Sequence, residues 1–104
     1  MAQHLYRIQP TRPAMLVEGL TPEEDAIIEQ HFAYLKDLTA QGIVILAGRT
    51  LTTDPNGLGI VIFRAADDNA AHALMSNDPS VQQGVMHAEL YPFRIALWSP
   101  PEGR

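Results

Sequence analysis

Two short segments, Ile43 to Ala47 (IVILA) and Leu58 to Phe63 (LGIVIF), are apolar in both parities. They are too short for helices, rich in β-branched residues and bounded by glycines, a pattern that belongs to strands covered on both faces. This demand falls on a chain of 104 residues, the size of one domain, with few other elements to supply the cover. Between the segments lies Asp54-Pro55-Asn56-Gly57, a turn cluster, so the two strands are predicted to pair as antiparallel neighbours.

The remaining elements follow from local signals. Leu5 to Gln9 alternates apolar and polar side chains before Pro10 and reads as a short strand, and the Pro- and Gly-punctuated stretch from Pro10 to Leu20 reads as an irregular loop. Thr21-Pro22-Glu23-Glu24 combines an N-cap hydroxyl, a proline at the first helical position and a glutamate at the third, which is a capping box. The helix it starts is predicted to run to about Gln41 and to stop at Gly42. Ile27, Ile28, His31, Phe32, Leu35 and Leu38 share one face of that helix, which puts an imidazole in the packing stripe. Asp67 and Asp68 offer the N-cap of a second helix through about Met75, Asp78-Pro79 caps a final short turn, and Val85 to Leu97 reads as a last strand. Pro92 within it points to an edge position or a bulge.

The order is β-α-β-β-α-β, an α+β ferredoxin-like arrangement with a four-stranded antiparallel sheet and two helices on one face. It is expected to occupy the chain as a single domain, structured over about 1–98 and ending in a polar tail, 99–104. The helices cover one face only, and the economical cover for the other is a second copy packed sheet to sheet, giving a homodimer or a higher oligomer.

Charge and composition narrow the function classes. Seven Lys and Arg against twelve Asp and Glu give a formal net charge of −5, the wrong sign for affinity built on neutralising phosphates, so no nucleic-acid partner is expected. The absence of cysteine excludes disulfides, thiolate zinc sites, iron–sulfur clusters and a cysteine nucleophile. The N-terminus MAQHLYRIQP has neither a basic nor an apolar leader region, and no apolar run approaches the roughly 18 residues of a membrane span. A soluble cytoplasmic protein with no membrane partner is expected. There is no glycine-rich phosphate loop, no G-x-S-x-G and no Walker pattern. His87 and Glu89 share one parity of the last strand, but two ligands are too few for a metal and none is expected.

HFAYLKDLTAQGIVILAGRT, LGIVIFRA and NDPSVQQGVMHAELYPFRIAL together resemble the YciI-like (YCII-related) family of dimeric α+β-barrel proteins. The most specific points are His31 on the helix, Ala47-Gly48 after the second strand, and the D-P-x-V-x-x-G-V segment from Asp78 to Val85. The resemblance implies a ferredoxin-like fold, a homodimer with facing sheets, and a cleft holding a His and Asp pair proposed as catalytic. The family is similar in architecture to muconolactone isomerases and includes a dehydrochlorinase of a chlorinated hydroxyquinol. Its histidine falls on His31 and its aspartate on Asp78; an arginine that some members carry three residues before the histidine is Ile28 here. Arg49, directly after the second strand, and Arg12, in the PTRP loop, are the candidates to replace it.

The chemistry implied is cofactor-independent proton transfer, elimination or isomerisation on a small anionic or aromatic molecule, carried by the His-Asp pair in the dimer cleft. His31 would be the general base or acid and Asp78 its orienting partner, with Arg49, Arg12 and Tyr6 as substrate-binding residues. The plain alternatives stand beside these roles: a core histidine bonded to backbone, an aspartate that only caps a turn, and a solvated loop arginine. Tyr6, in phase with Ile8 on the first strand, either lines a pocket or packs. A non-catalytic ligand-binding or accessory module is the alternative for the whole chain.

Overall fold

The protein is described over residues 1–99, from a computed structural model; of the polar tail expected over 99–104, residues 100–104 lie outside the described residues. The elements run β1 (Ala2–Pro10), α1 (Met15–Glu18), α2 (Pro22–Ala40), β2 (Val44–Arg49), β3 (Gly59–Ala65), α3 (Asp68–Ser76), α4 (Pro79–Gln82) and β4 (Met86–Phe93). The strands form one antiparallel sheet in the order β2-β3-β1-β4, the split ferredoxin-like arrangement. Two differences from the sequence reading are local. The Pro10 to Leu20 stretch contains a single helical turn, α1, whose Met15 is buried, and β4 ends at Phe93 rather than Leu97.

The helix α2 begins where the capping box puts it. Thr21 Oγ1 accepts from the Glu24 N–H at 3.1 Å, and Glu24 Oε1 accepts from the Thr21 N–H at 2.9 Å. It ends at the Gln41 cap, followed by Gly42 at φ +76°, a left-handed conformation that costs glycine nothing. Its packing face is narrower than the periodicity implies. Leu35 is buried, Ile27, Ile28 and Leu38 are half-buried, but Phe32 is 66% exposed, because that side of the helix stands over a cleft and not over the sheet.

Strand alternation divides the side chains between two faces. His4, Tyr6, Ile8 and Pro10 of β1 are all buried, and they pair with Phe63, Val61 and Gly59 on one side and with Pro92, Leu90, Ala88 and Met86 on the other. This is the helix-covered face, and its core centres on Tyr6, Val61, Phe63 and Leu35. The opposite face carries Leu5, Ile60, Ile62, Tyr91 and Phe93 around an ion pair between Arg7 and Glu89. β2 departs from the expectation of double burial. It is an edge strand, so Val44 is buried but Ala47, Gly48 and Arg49 are exposed. At the other edge lies β4, the position Pro92 indicates, since a missing N–H is tolerated where no further strand pairs. Among the described residues no helix is long and apolar enough to cross a membrane.

Thr21→Ala removes one arm of the capping box and nothing in the core. It is expected to lower stability by about 1 kcal/mol, read as a lower midpoint in chemical unfolding with an unchanged slope.

Candidate functional site

Three elements converge on one carboxylate. Asp78 caps α4 as the D-P pair indicates: Oδ1 accepts from the Ser80 N–H at 2.9 Å, and Pro79 opens the turn. The same oxygen accepts from Ser80 Oγ at 2.8 Å, and Oδ2 accepts from the Tyr6 hydroxyl at 2.7 Å. From α2, the Nδ1 of His31 reaches Oδ1 at 2.7 Å and Oδ2 at 2.8 Å. A carboxylate can only accept, so Nδ1 carries the hydrogen. Capping and pairing with the histidine are therefore both carried by Asp78, which is fully buried, while the His31 side chain keeps 14% of its exposure.

The electrostatics follow from burial against contacts. Burial pushes the Asp78 carboxyl up, but the His31, Tyr6 and Ser80 donors together outweigh it and hold the group below the ordinary aspartate value. Burial first, then the charge of Asp78, pushes the Tyr6 phenol far above its usual range, so it remains a hydroxyl donor. Tyr34, whose hydroxyl donates to the Leu74 carbonyl at 2.7 Å, is pushed up to about 12 by burial and by Asp78.

His31 also lines a cleft of about 510 Å³ between α2 and the helix-covered face of the sheet; Asp78 and Tyr6 do not. Its walls are mostly apolar. Ile28, Phe32 and Leu35 come from α2, Ile8 and Val61 from the sheet, and Met15, Leu16 and Leu20 from the α1 segment. Ile28, where some family members have arginine, contributes only hydrocarbon. The ionisable residues on the wall are Asp25, His31 and Arg49. Of the two candidate arginines, Arg49 thus borders the cleft, at the exposed end of β2. Arg12 does not. Its guanidinium donates to Glu24 at 2.7 and 3.0 Å and to the Gly19 carbonyl at 2.9 Å, tying the α1 segment to the start of α2. Arg12, aided by the Thr21 N–H, draws the Glu24 carboxyl down to about 2.

The cleft that His31 borders is lined by residues of one chain, on the side of the sheet away from the open face, and not by facing sheets in a dimer cleft as the sequence reading expects. Tyr6 neither lines it nor merely packs. The tyrosine's bond to Asp78 spans 72 positions and has no local sequence signal; Ser80 is signalled only by its place two residues after the D-P cap. His4 is buried, stacks on Phe63 at 5.6 Å and has no ring-nitrogen partner among the described residues. Glu89, in phase with His87 on β4, is engaged with Arg7, and no cluster of three potential metal ligands occurs among the described residues.

Residues 5–94 match the YCII-related domain. The chain belongs to the YCII-related family. Among solved structures, this YCII-related chain is similar to the 5-chloro-2-hydroxyhydroquinone dehydrochlorinase of Burkholderia phenoliruptrix AC1100, in complex with 2,5-dihydroxybenzoquinone. The two are 21% identical, with a TM-score of 0.63 over 88% of this chain and 93% of that one. An uncharacterised protein of Thermotoga maritima is 13% identical, with a TM-score of 0.54 over 88% of this chain and 95% of that one. These likenesses show the fold. A comparison with curated proteins finds no match.

The lowered Asp78 value makes stability depend on pH. The group is more acidic folded than unfolded, so its contribution is full above the ordinary aspartate range and is lost as pH falls through the folded value. Unfolding midpoints of the parent chain are expected to drop below about pH 4. Asp78→Asn should flatten that dependence and cost on the order of 3 kcal/mol at neutral pH. Equal acid sensitivity in both proteins would assign it to other carboxylates.

Proposed function

We propose that this chain is an enzyme of proton-transfer chemistry, eliminating from or isomerising a small anionic or aromatic molecule bound in the α2 cleft. The observation that carries this reading is the asymmetry of the His31 ring. Nδ1 is committed to a buried carboxylate, so Nε2 is the ring nitrogen left to act as a base, and the ring borders a mostly apolar cleft of about 510 Å³. A base of this kind removes a proton from a hydroxyl or from a carbon beside a carbonyl. The electron pair left behind forms a new double bond. In an elimination a leaving group departs with its own pair; in an isomerisation the imidazolium returns the proton at another atom. Asp78 stays an anion beside the imidazolium and stabilises it.

Arg49 is the one guanidinium or ammonium among the described lining residues, and its fork geometry suits a carboxylate or phenolate at the mouth. The apolar walls favour a ring or hydrocarbon skeleton. The aromatic substrate named for the similar dehydrochlorinase supports that class.

A homodimer belongs to the same proposal. The open face carries Leu5, Ile60, Tyr91 and Phe93 with no helix over them, and two such faces packed together would remove this apolar surface from water. Light scattering is expected to give a dimer at micromolar concentration, with an interface of at least about 1,200 Å²; a monomer overturns it.

A thermal-stabilisation screen of phenols, lactones and halogenated acids is expected to find compounds that raise the unfolding midpoint. With such a compound, His31→Asn should keep the fold and lose turnover by about 10²-fold or more. Binding with no turnover in the parent would favour a non-catalytic ligand-binding module. Early unfolding of the variant would make His31 a core residue.

A further inference from the structure

The Asp78 carboxylate has its acceptor positions filled. Two oxygens offer about four lone-pair sites, and the donors are His31 Nδ1, the Tyr6 hydroxyl, and the N–H and Oγ of Ser80. The Ser80 donors sit on the α4 turn that Asp78 itself caps, and Ser80 Oγ also lies 3.2 Å from His31 Nδ1, so they tie the carboxylate to its own turn and to the histidine but not to the sheet. The terminal torsion of an aspartate is broad, and without a bond to the sheet the carboxylate and the imidazole that contacts both its oxygens can turn together. Tyr6 is different. It lies on β1 between two neighbouring strands, is fully buried, and its ring meets Phe63 edge-on at 5.7 Å. Its hydroxyl is the bond that joins Oδ2 to the sheet.

We propose that Tyr6 is a positioning residue for His31: its hydroxyl pins the Asp78 carboxylate in one orientation, which holds the imidazole as the Nδ1–H tautomer and leaves Nε2 as the basic nitrogen at the cleft. The inference rests on the reading of His31 as a base, and it adds a third member from the sheet to a pair supplied by helix and turn. Because its phenol stays protonated, Tyr6 is a donor under all working conditions. Tyr6 does not border the cleft, so it acts only through Asp78.

The test is nuclear magnetic resonance of the full chain with labelled histidine. In the parent, the His31 Nδ1–H proton is expected as a slowly exchanging signal, with ring nitrogen shifts of a single tautomer. Tyr6→Phe keeps the ring and its contact with Phe63 but removes the hydroxyl; the proton signal should broaden or vanish and the nitrogen shifts move toward a tautomer mixture. Tyr34→Phe is the control, since it deletes a part-buried hydroxyl bond to the Leu74 carbonyl and removes no hydrogen bond of Asp78. It should lower stability and leave the His31 tautomer unchanged. A folded Tyr6→Phe variant with the parent's tautomer overturns the proposal, as does the same tautomer change in Tyr34→Phe. If Tyr6→Phe does not fold, the parent decides: a slowly exchanging Tyr6 hydroxyl proton supports the anchor, and its absence overturns it. None of these signals requires turnover. A fixed tautomer dependent on Tyr6 in a chain without activity would refute the catalytic reading alone, and activity with a tautomer indifferent to Tyr6 would refute the positioning role alone.

Discussion

A buried carboxylate is the constraint around which this molecule is arranged. Removing an ion of this size from water costs several kcal/mol even after relaxation, and Asp78 is fully buried. The cost is offset only if the donors arrive together, and they come from β1, α2 and the α4 turn. One side chain thereby links the long helix and the last turn to the sheet. The same requirement makes the histidine directional, because the nitrogen that satisfies the carboxylate cannot also serve the cleft.

The cleft exists because the helix layer does not fill the space above the sheet. Near Leu35 the helix packs closely, while around His31 and Phe32 it stands away from the edge strand β2 and the start of β3. The α1 segment closes one side, held by the Arg12 bonds to Glu24 and Gly19. Leu16 of that segment reaches the backbone at Gly57, where an added Cβ would come within 3.1 Å of its Cδ1. The loop between β2 and β3 and the segment after β1 thus meet at one end of the pocket, with Arg49 at the adjoining strand end.

Much of this architecture is legible in local sequence. The capping box, the Gly42 stop, the turn cluster at Asp54 to Gly57 and the edge proline at Pro92 each report a backbone requirement met within a few residues. Where periodicity alone served as the guide it overstated burial. Phe32 lies in the apolar stripe of α2 yet faces an opening, and β2 is apolar in both parities yet lies at the sheet's edge. An apolar pattern records which surfaces are to be shielded and not what shields them. On the open face that shield is incomplete in the single chain: Ile62 is buried, but Tyr91 and Phe93 remain exposed.

The sequence by itself determined the order of the strands and of the longer helices, the antiparallel β2–β3 pairing and the presence of His31 on a packing face, because each depends on neighbours within a helical turn or a hairpin. It also carried the D-P pair that makes Asp78 a cap. Only the tertiary structure decided that the cap and the histidine share one carboxylate, that Tyr6 donates to it across 72 positions, and that Arg49 borders the cleft while Arg12 is held by Glu24. Those outcomes depend on strand register and on the distance at which α2 crosses the sheet, quantities summed over the whole packed core and written in no single segment of the chain.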